Sequence, residues 1–260
     1  MWKFLLLTLA LLPACSNLPV PGSAPLNGDA AAARRLLVRS AAASGDPWEK
    51  LRKVEVAYAG EWSAVAAKIQ PVLVDVNFRK SSKEVYLPTS RQVRQVHTGP
   101  AGTKEVLRGP GVIEVRYGGV RNTDSNVDDA AALVADAYTV FLFGPSYLKS
   151  RATGLGLVGS REVGGEMCDG VQGTLRPGIG RSEVDRFIVW IGRDSSLMRQ
   201  FQFSIDGFAG TRGADVEVMF SEHRKEADGM VWPRRFVERI VRPISVQAHE
   251  WRMLGVKSEM

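Results

Sequence analysis

The stretch FIVWIGRDSSLMRQFQFSI, Phe187 to Ile205, decides the fold. It opens on Phe187-Ile188-Val189-Trp190-Ile191, an unbroken apolar run of the kind a strand shows when both its faces are covered. Further on, Phe201, Phe203 and Ile205 alternate with Gln200, Gln202, Ser204 and Asp206. That period of two sends one set of side chains inward and the other outward. Asp206-Gly207 follows, a strong hairpin signal. Strands joined by such tight turns pair antiparallel.

The same texture extends in both directions. Downstream, Val216, Val218 and Phe220 alternate with Asp215, Glu217 and Ser221, and Asp228-Gly229 marks another turn. Val231 to Val241 and His249 to Leu254 supply the last strands, with Pro233 suited to an edge or a bulge. Upstream, strands are predicted at Val54, Val56 and Tyr58, at Val72, Val74, Val76 and Phe78, at Val85 to Leu87, at Val93 to His97 and at Val112 to Tyr117. Gly99-Pro100-Ala101-Gly102 is a turn, and Gly118-Gly119 ends the last of these strands.

One helix precedes this series and one interrupts it. One is Ala-rich, from Asp29, its predicted cap, to Ala43; Ser44-Gly45-Asp46-Pro47 ends it, and Trp48 to Leu51 add one more turn. The other runs over 126–143, capped by Ser125 or Asn126, with Asp128 and Asp129 in the first turn and Gly144-Pro145 as its stop. Its apolar residues exceed a normal stripe, so it must be buried or face an apolar ligand. The fold class is therefore α+β. About ten antiparallel strands are too many to stay flat. They curl into a half-open barrel whose concave side the helices cover. Whether the space between is packed core or a hydrophobic cavity stays open.

At the N-terminus, Lys3 precedes the apolar run Phe4 to Leu12, followed by Pro13, Ala14 and Cys15. A cation, a short apolar stretch and a small residue describe a secretory signal peptide. With cysteine after the cut, the site resembles the lipobox of bacterial lipoproteins, which implies lipidation of Cys15; an ordinary export signal with a chance cysteine is the alternative. The domain organisation expected is 1–14 signal peptide, 15–28 lipidated tether and 29–260 a single domain. The apolar run is too short to span a bilayer, and no later stretch is expected to reach the roughly 20 residues required. Ser16 resembles the choice that sends such proteins to the outer membrane, so the expected location is its periplasmic face, held through lipid. The 260 residues carry a formal charge of +6. Export argues against nucleic acid as the partner, leaving an anionic lipid surface or simple solubility.

Candidate chemistry is sparse. Gly154-Leu155-Gly156-Leu157-Val158-Gly159 has the letters of a dinucleotide fingerprint, but a helix precedes it and poor helix sequence follows, so a bent glycine-bearing strand fits better. His97, His223 and His249 belong to no paired ligand motif. No serine sits in a nucleophile elbow. Cys168, unpaired if Cys15 is lipidated, lacks flanking cations and reads as a small core residue. Asp128 and Asp129 are first-turn charges. No metal, no cofactor and no catalysis are expected; a polar cluster with shifted ionisation deep in a pocket would reopen the question. Two basic groups, Arg34, Arg35 and Arg39, and Arg234, Arg235, Arg239 and Arg242, are either solvated faces or contacts for phosphate-bearing lipid heads.

Several motifs carry a resemblance. Phe187 to Ile191, the turn at Asp194-Ser195, Leu197-Met198-Arg199 and the strand to Ile205 are similar to a hairpin of the lipoprotein-localisation (LolA/LolB-like) superfamily. Asp228-Gly229-Met230-Val231-Trp232-Pro233 and Ala57-Tyr58-Ala59-Gly60-Glu61-Trp62 are also similar to segments of that family. The resemblance implies an open antiparallel barrel with helices in its mouth and a pocket for acyl chains. Arg176-Pro177-Gly178-Ile179-Gly180-Arg181-Ser182 has no counterpart in it. The pocket residues expected are Leu133, Val134, Ala137, Tyr138 and Phe141 from the helix, and Val74, Val76, Val189 and Phe203 from the sheet. The function expected is non-catalytic binding of lipid or acyl chains, in lipid or lipoprotein trafficking. The alternative is an envelope interaction or sensor module with a filled core and a protein partner.

Overall fold

The computed structural model describes Leu18 and residues 29–260. The expected leader, Cys15 and all of the expected tether except Leu18 lie outside the described residues. Helices α1 (Ala30–Ala43) and α2 (Pro47–Lys50) lead into β1 (Lys53–Trp62). Short helices α3 (Ala64–Ile69) and α4 (Pro71–Val74) precede β2 (Ser81–Leu87), β3 (Gln92–Gly99), β4 (Gly102–Gly109), β5 (Val112–Tyr117) and β6 (Val120–Arg121). The long α5 (Ser125–Arg151) is followed by β7 (Ala152–Val163), β8 (Glu166–Leu175), β9 (Asp185–Gly192), β10 (Met198–Ser204) and β11 (Asp215–Ser221). The chain ends with β12 (Arg224–Lys225), β13 (Val231–Trp232), β14 (Arg235–Arg242) and β15 (Val246–Glu259).

Among the described residues, thirteen strands form one antiparallel sheet in the order β6-β5-β4-β3-β2-β1-β15-β14-β11-β10-β9-β8-β7, and β12 with β13 makes a separate ribbon. The chain thus enters at the middle and steps outward to β6. Helix α5 carries it across to the opposite edge, β7, and it returns until β15 pairs with β1. The sheet is not closed. Residues of α5 share one buried cluster with Val54 and Val56 of β1, Val189 of β9, Val218 of β11 and Trp251 of β15. A sheet that meets one helix from so many strands is curled around it. Register shifts at Ala57/Tyr58, Asp215/Val216 and Glu238/Arg239 bend individual strands in the same way.

The apolar run in β9 is covered on both faces. Phe187, Val189 and Ile191 enter the main core, while Ile188 and Trp190 form an outer cluster with Leu18, Val163 and Cys168. Gly154 to Gly159 lie in β7, where the register breaks twice and no helix opens on the glycines.

Several expectations need correction. The strand expected over Val72 to Phe78 is instead α4 and a turn: Pro71 sets the first helical position and Asp75 leaves it in a left-handed conformation (φ 48°). Val74 and Val76 are therefore not sheet residues; they pack in a small cluster with Ala66 and Ala248. Among the described residues the sheet has thirteen strands rather than about ten, and those outside the expected series are the full-length β4, β7 and β8 as well as the short edge piece β6. Helix α5 is capped by Asp124, whose carboxylate accepts from Asn126 N–H at 2.9 Å, one residue before the expected caps. Nor does it stop at Gly144-Pro145. It kinks there, with Gly144 at φ 47°, ψ −128°, and continues to Arg151. Contrary to expectation, α5 is long and apolar enough by length and composition to cross a membrane, yet 89% of its most apolar window is buried in the fold. It is the central core helix of this sheet.

Candidate functional site: an apolar cavity with a buried polar floor

A cavity lies where α5, the inner face of the sheet and the α3–α4 segment meet. Leu133, Val134 and Ala137 of α5, Val74 of α4, and Phe203 and Ile205 at the end of β10 give it apolar walls. The centre of a water-sized sphere has about 50 Å³ in which to move, enough for a few waters and too little for an acyl chain. Ser63 starts the cover by capping α3, its hydroxyl accepting from Ala66 N–H at 3.1 Å. Val65 and Ile69 on this cover are exposed.

The floor of the cavity is polar. Trp62 of β1 stands opposite His249 of β15, which stands opposite Glu238 of β14, so three adjacent strands present them side by side. The Trp62 and His249 rings stack at 4.0 Å. Arg79, only 1% exposed, enters from the loop before β2. It donates to Leu73 O at 2.8 Å and to the Tyr138 hydroxyl at 2.8 Å, and its guanidinium lies 4.7 Å over the Trp62 ring. Tyr138 Oη lies 3.1 Å from His249 Nε2, and His249 Nδ1 lies 3.2 Å from Glu238 Oε2. Arg79, Tyr138, His249 and Glu238 therefore form one chain of polar contacts. Among the described residues, Arg79 Nε has no hydrogen-bond partner.

Burial sets the ionisation of this group. It pushes Glu238 up to about 7 against the opposing pull of Arg79. It also holds His249 well below the usual imidazole value, with Arg79 adding to the effect, and raises the Tyr138 hydroxyl. The polarity continues along the inner face of the next strands. Glu84 accepts from Ser82 at 2.6 Å and from Tyr86, and burial raises its carboxyl. Buried Lys104 pairs with Asp75 at 2.8 Å, and the Tyr117 hydroxyl donates to the same carboxylate at 2.8 Å. His97 is buried and held well below its usual value.

Of the pocket residues expected, Val74, Leu133, Val134, Ala137, Tyr138 and Phe203 line this cavity. Phe141 and Val189 sit in the main core and do not line it, Phe141 standing behind the lining residues Tyr138 and Phe203 at 5.7 and 5.8 Å between ring centres, and Val76 packs beside the cover. Arg79, Glu238 and Trp62 were not expected, and His249 was expected only as a structural residue. The phase of the strands carried a signal for two of them: Glu238 shares the inward parity of Phe236, and His249 that of Trp251. Nothing local marks Arg79.

The basic group on β14 is largely self-contained. Arg235 grips Glu250 with two hydrogen bonds of 2.7 and 2.8 Å, Arg234 reaches Glu226 at 3.0 Å, and Arg242 reaches Asp215 at 3.1 Å. Cys168 is buried, with its thiol pushed up to about 11 by desolvation, the state of an inert core residue. Among the described residues, no three His, Cys, Asp or Glu side chains gather as a metal site requires.

Fold and cavity together define an open antiparallel sheet curled around one buried helix, with a small chamber between them. No family model matches the chain, and no curated protein matches its sequence. Among solved structures it is similar to a LolA superfamily protein from Nitrosomonas europaea, at 10% identity and a TM-score of 0.49, with 86% of this chain and 92% of the other covered. It is also similar to a domain described as an outer membrane lipoprotein-sorting protein from Vibrio parahaemolyticus, at 7% identity and a TM-score of 0.45, covering 89% and 94%. A DUF1329 family protein from Desulfovibrio piger gives 13% identity and a TM-score of 0.45, covering 90% and 95%. The likeness concerns the course of the backbone and not its chemistry.

Proposed function

We propose that this chain is a non-catalytic binding protein of the cell envelope that takes an apolar chain between the curled sheet and α5. The observation that carries the reading is the chamber itself: apolar on its walls, polar only on its floor, and covered by two short helices. In the closed state it holds only a few waters. A ligand therefore enters by displacing α3–α4, whose own buried anchor is the small cluster of Ala66, Val74 and Ala248. The expected lipid at Cys15 would hold the domain beside its source of ligand.

The test is native mass spectrometry of the full chain after gentle extraction, with titration of an apolar fluorescent dye. Lipid should copurify and the dye should bind. Ala137→Leu places bulk in the chamber from α5, so it should abolish dye binding while shifting stability by no more than about 1–3 kcal/mol. If no lipid copurifies and the dye does not bind the native chain, the chamber is ordinary core. The filled-core interaction module then becomes the better reading, and crosslinking in intact envelopes should trap a defined protein.

The polar floor is the one observation that favours chemistry, since a carboxylate, an imidazole and a phenol lie in contact. Its geometry opposes that use. His249 Nε2 faces the Tyr138 hydroxyl, and the hydroxyl nucleophile in the lining, Thr211, is turned to backbone carbonyls instead, at 2.7 Å from Ile205 O and 3.1 Å from Phe208 O. The group instead anchors α5 to β14 and β15.

A further inference from the structure

On a different face of α5 lies a second and larger concavity of about 380 Å³, bounded by the β2–β3 turn, β4, α2, the last turns of α5 and the 176–182 segment. We infer that this cleft is a binding site for a phosphate-type anion, with an aromatic wall for whatever the anion is attached to.

Four arginines line it, Arg91, Arg108, Arg151 and Arg176, against one carboxylate, Asp136. That carboxylate is already engaged. Arg108 holds it through two hydrogen bonds of 3.0 and 2.8 Å, and it also accepts the Gly180 N–H at 3.0 Å. Among the described residues Arg91, Arg151 and Arg176 form no ion pair, whereas the β14 arginines are mostly paired. The three come from three different elements, so no single solvated face explains them. Cations favour a helix C-terminus, which accounts for Arg151 alone. Arg91 takes a left-handed conformation, φ 53°, uncommon for a residue with a side chain, at the last position of the turn between β2 and β3.

The wall opposite is aromatic. Trp48 and Tyr147 meet edge to face at 4.8 Å, and the Arg151 guanidinium lies 5.4 Å over the Tyr147 ring. The Trp48 backbone N–H donates to Ser146 Oγ at 2.9 Å, and Ser146 in turn donates to Asp46 at 2.6 Å. Arginine forks match the oxygens of phosphate, and a concavity with convergent cations raises the local concentration of anions. The 176–182 segment, which no part of the chamber uses, completes this site. It is tied to α5 by Gly180 N–H to Asp136 and by Arg181 to Asp129 at 2.7 Å, and it leaves Arg176 at the rim. The cleft does not depend on the apolar-chain reading, and either can fail without the other.

Phosphate chemistry reaches such a cleft as a lipid headgroup or as a free anion, and the test separates them. The full chain is titrated with dihexanoyl-phosphatidic acid, with dihexanoyl-phosphatidylcholine and with inorganic pyrophosphate, followed by tryptophan fluorescence and calorimetry. Tighter binding of phosphatidic acid than of pyrophosphate, by tenfold or more, assigns a headgroup; equal binding assigns a free anion. Both support the site. The double variant Arg91→Gly, Arg176→Ala should lose at least tenfold in affinity. Glycine relieves the left-handed turn at 91, so the thermal transition should not fall. Arg94→Ala, on the exposed face of β3, serves as the control and should bind as the native chain does. The inference is overturned if neither anion binds, if the double variant binds unchanged, or if Arg94→Ala loses as much as the double variant.

Discussion

Glu238 shows how one residue sets a property of the whole fold. Its folded value of about 7 stands above the ordinary 4.5. Between those two values the folded chain keeps a proton that the unfolded chain has lost, so this group makes stability fall as pH rises from about 4.5 to about 7. His249 and His97 act in the opposite sense. Their folded values are depressed, so below about 6.5 the unfolded imidazoles take up protons that the folded ones refuse, and stability falls as pH drops. Glu238→Gln removes the first contribution alone. The variant should gain on the native chain as pH rises from 4.5 to 7.5, by up to about 3 kcal/mol at roughly 1.4 kcal/mol per pKa unit. Urea denaturation at both pH values measures it. A variant that tracks the native chain across the window would show that this carboxyl is ionised in the fold.

At the scale of elements, α5 organises the molecule, and its most constrained residue is Gly144. The backbone there has φ 47° and ψ −128°, and a Cβ would come within 3.0 Å of the Met198 side chain. Glycine alone adopts this conformation without strain. Gly144→Ala should therefore cost about 1–3 kcal/mol, read as a shift in the denaturation midpoint with an unchanged slope. The apolar periodicity of this helix, and its need for burial, were legible in the sequence. Its continuation past Pro145 was not, because proline is also the commonest sign of a helix stop. The strand expected at Val72 to Phe78 failed for a related reason. Alternation over a few residues is a local signal. Here Pro71, the left-handed Asp75 and packing of Val74 on Ala66 and Ala248 outweighed it.

At the scale of the whole molecule, the proposal ties the domain to a membrane through Cys15. Cys15→Ser should release the chain into the soluble periplasmic fraction or leave it unprocessed, as fractionation and mass determination of the N-terminus would show. A variant that is processed normally and stays membrane-bound would remove the lipid tether from the proposed function while leaving the chamber and the arginine cleft to their own tests.

The sequence by itself determined the antiparallel character of the sheet, the central buried helix and the double-sided burial of β9, because period and composition are local properties. It also held the inward parity of Glu238 and His249, legible only once the facing of each strand was known. The tertiary structure alone decided the rest. Arg79 meets Tyr138, and Arg91, Arg151 and Arg176 come to line one cleft, across separations that no spacing in the sequence records. The size of the chamber follows from how side chains from many strands fill a shared volume, and a single stretch of chain cannot carry that sum.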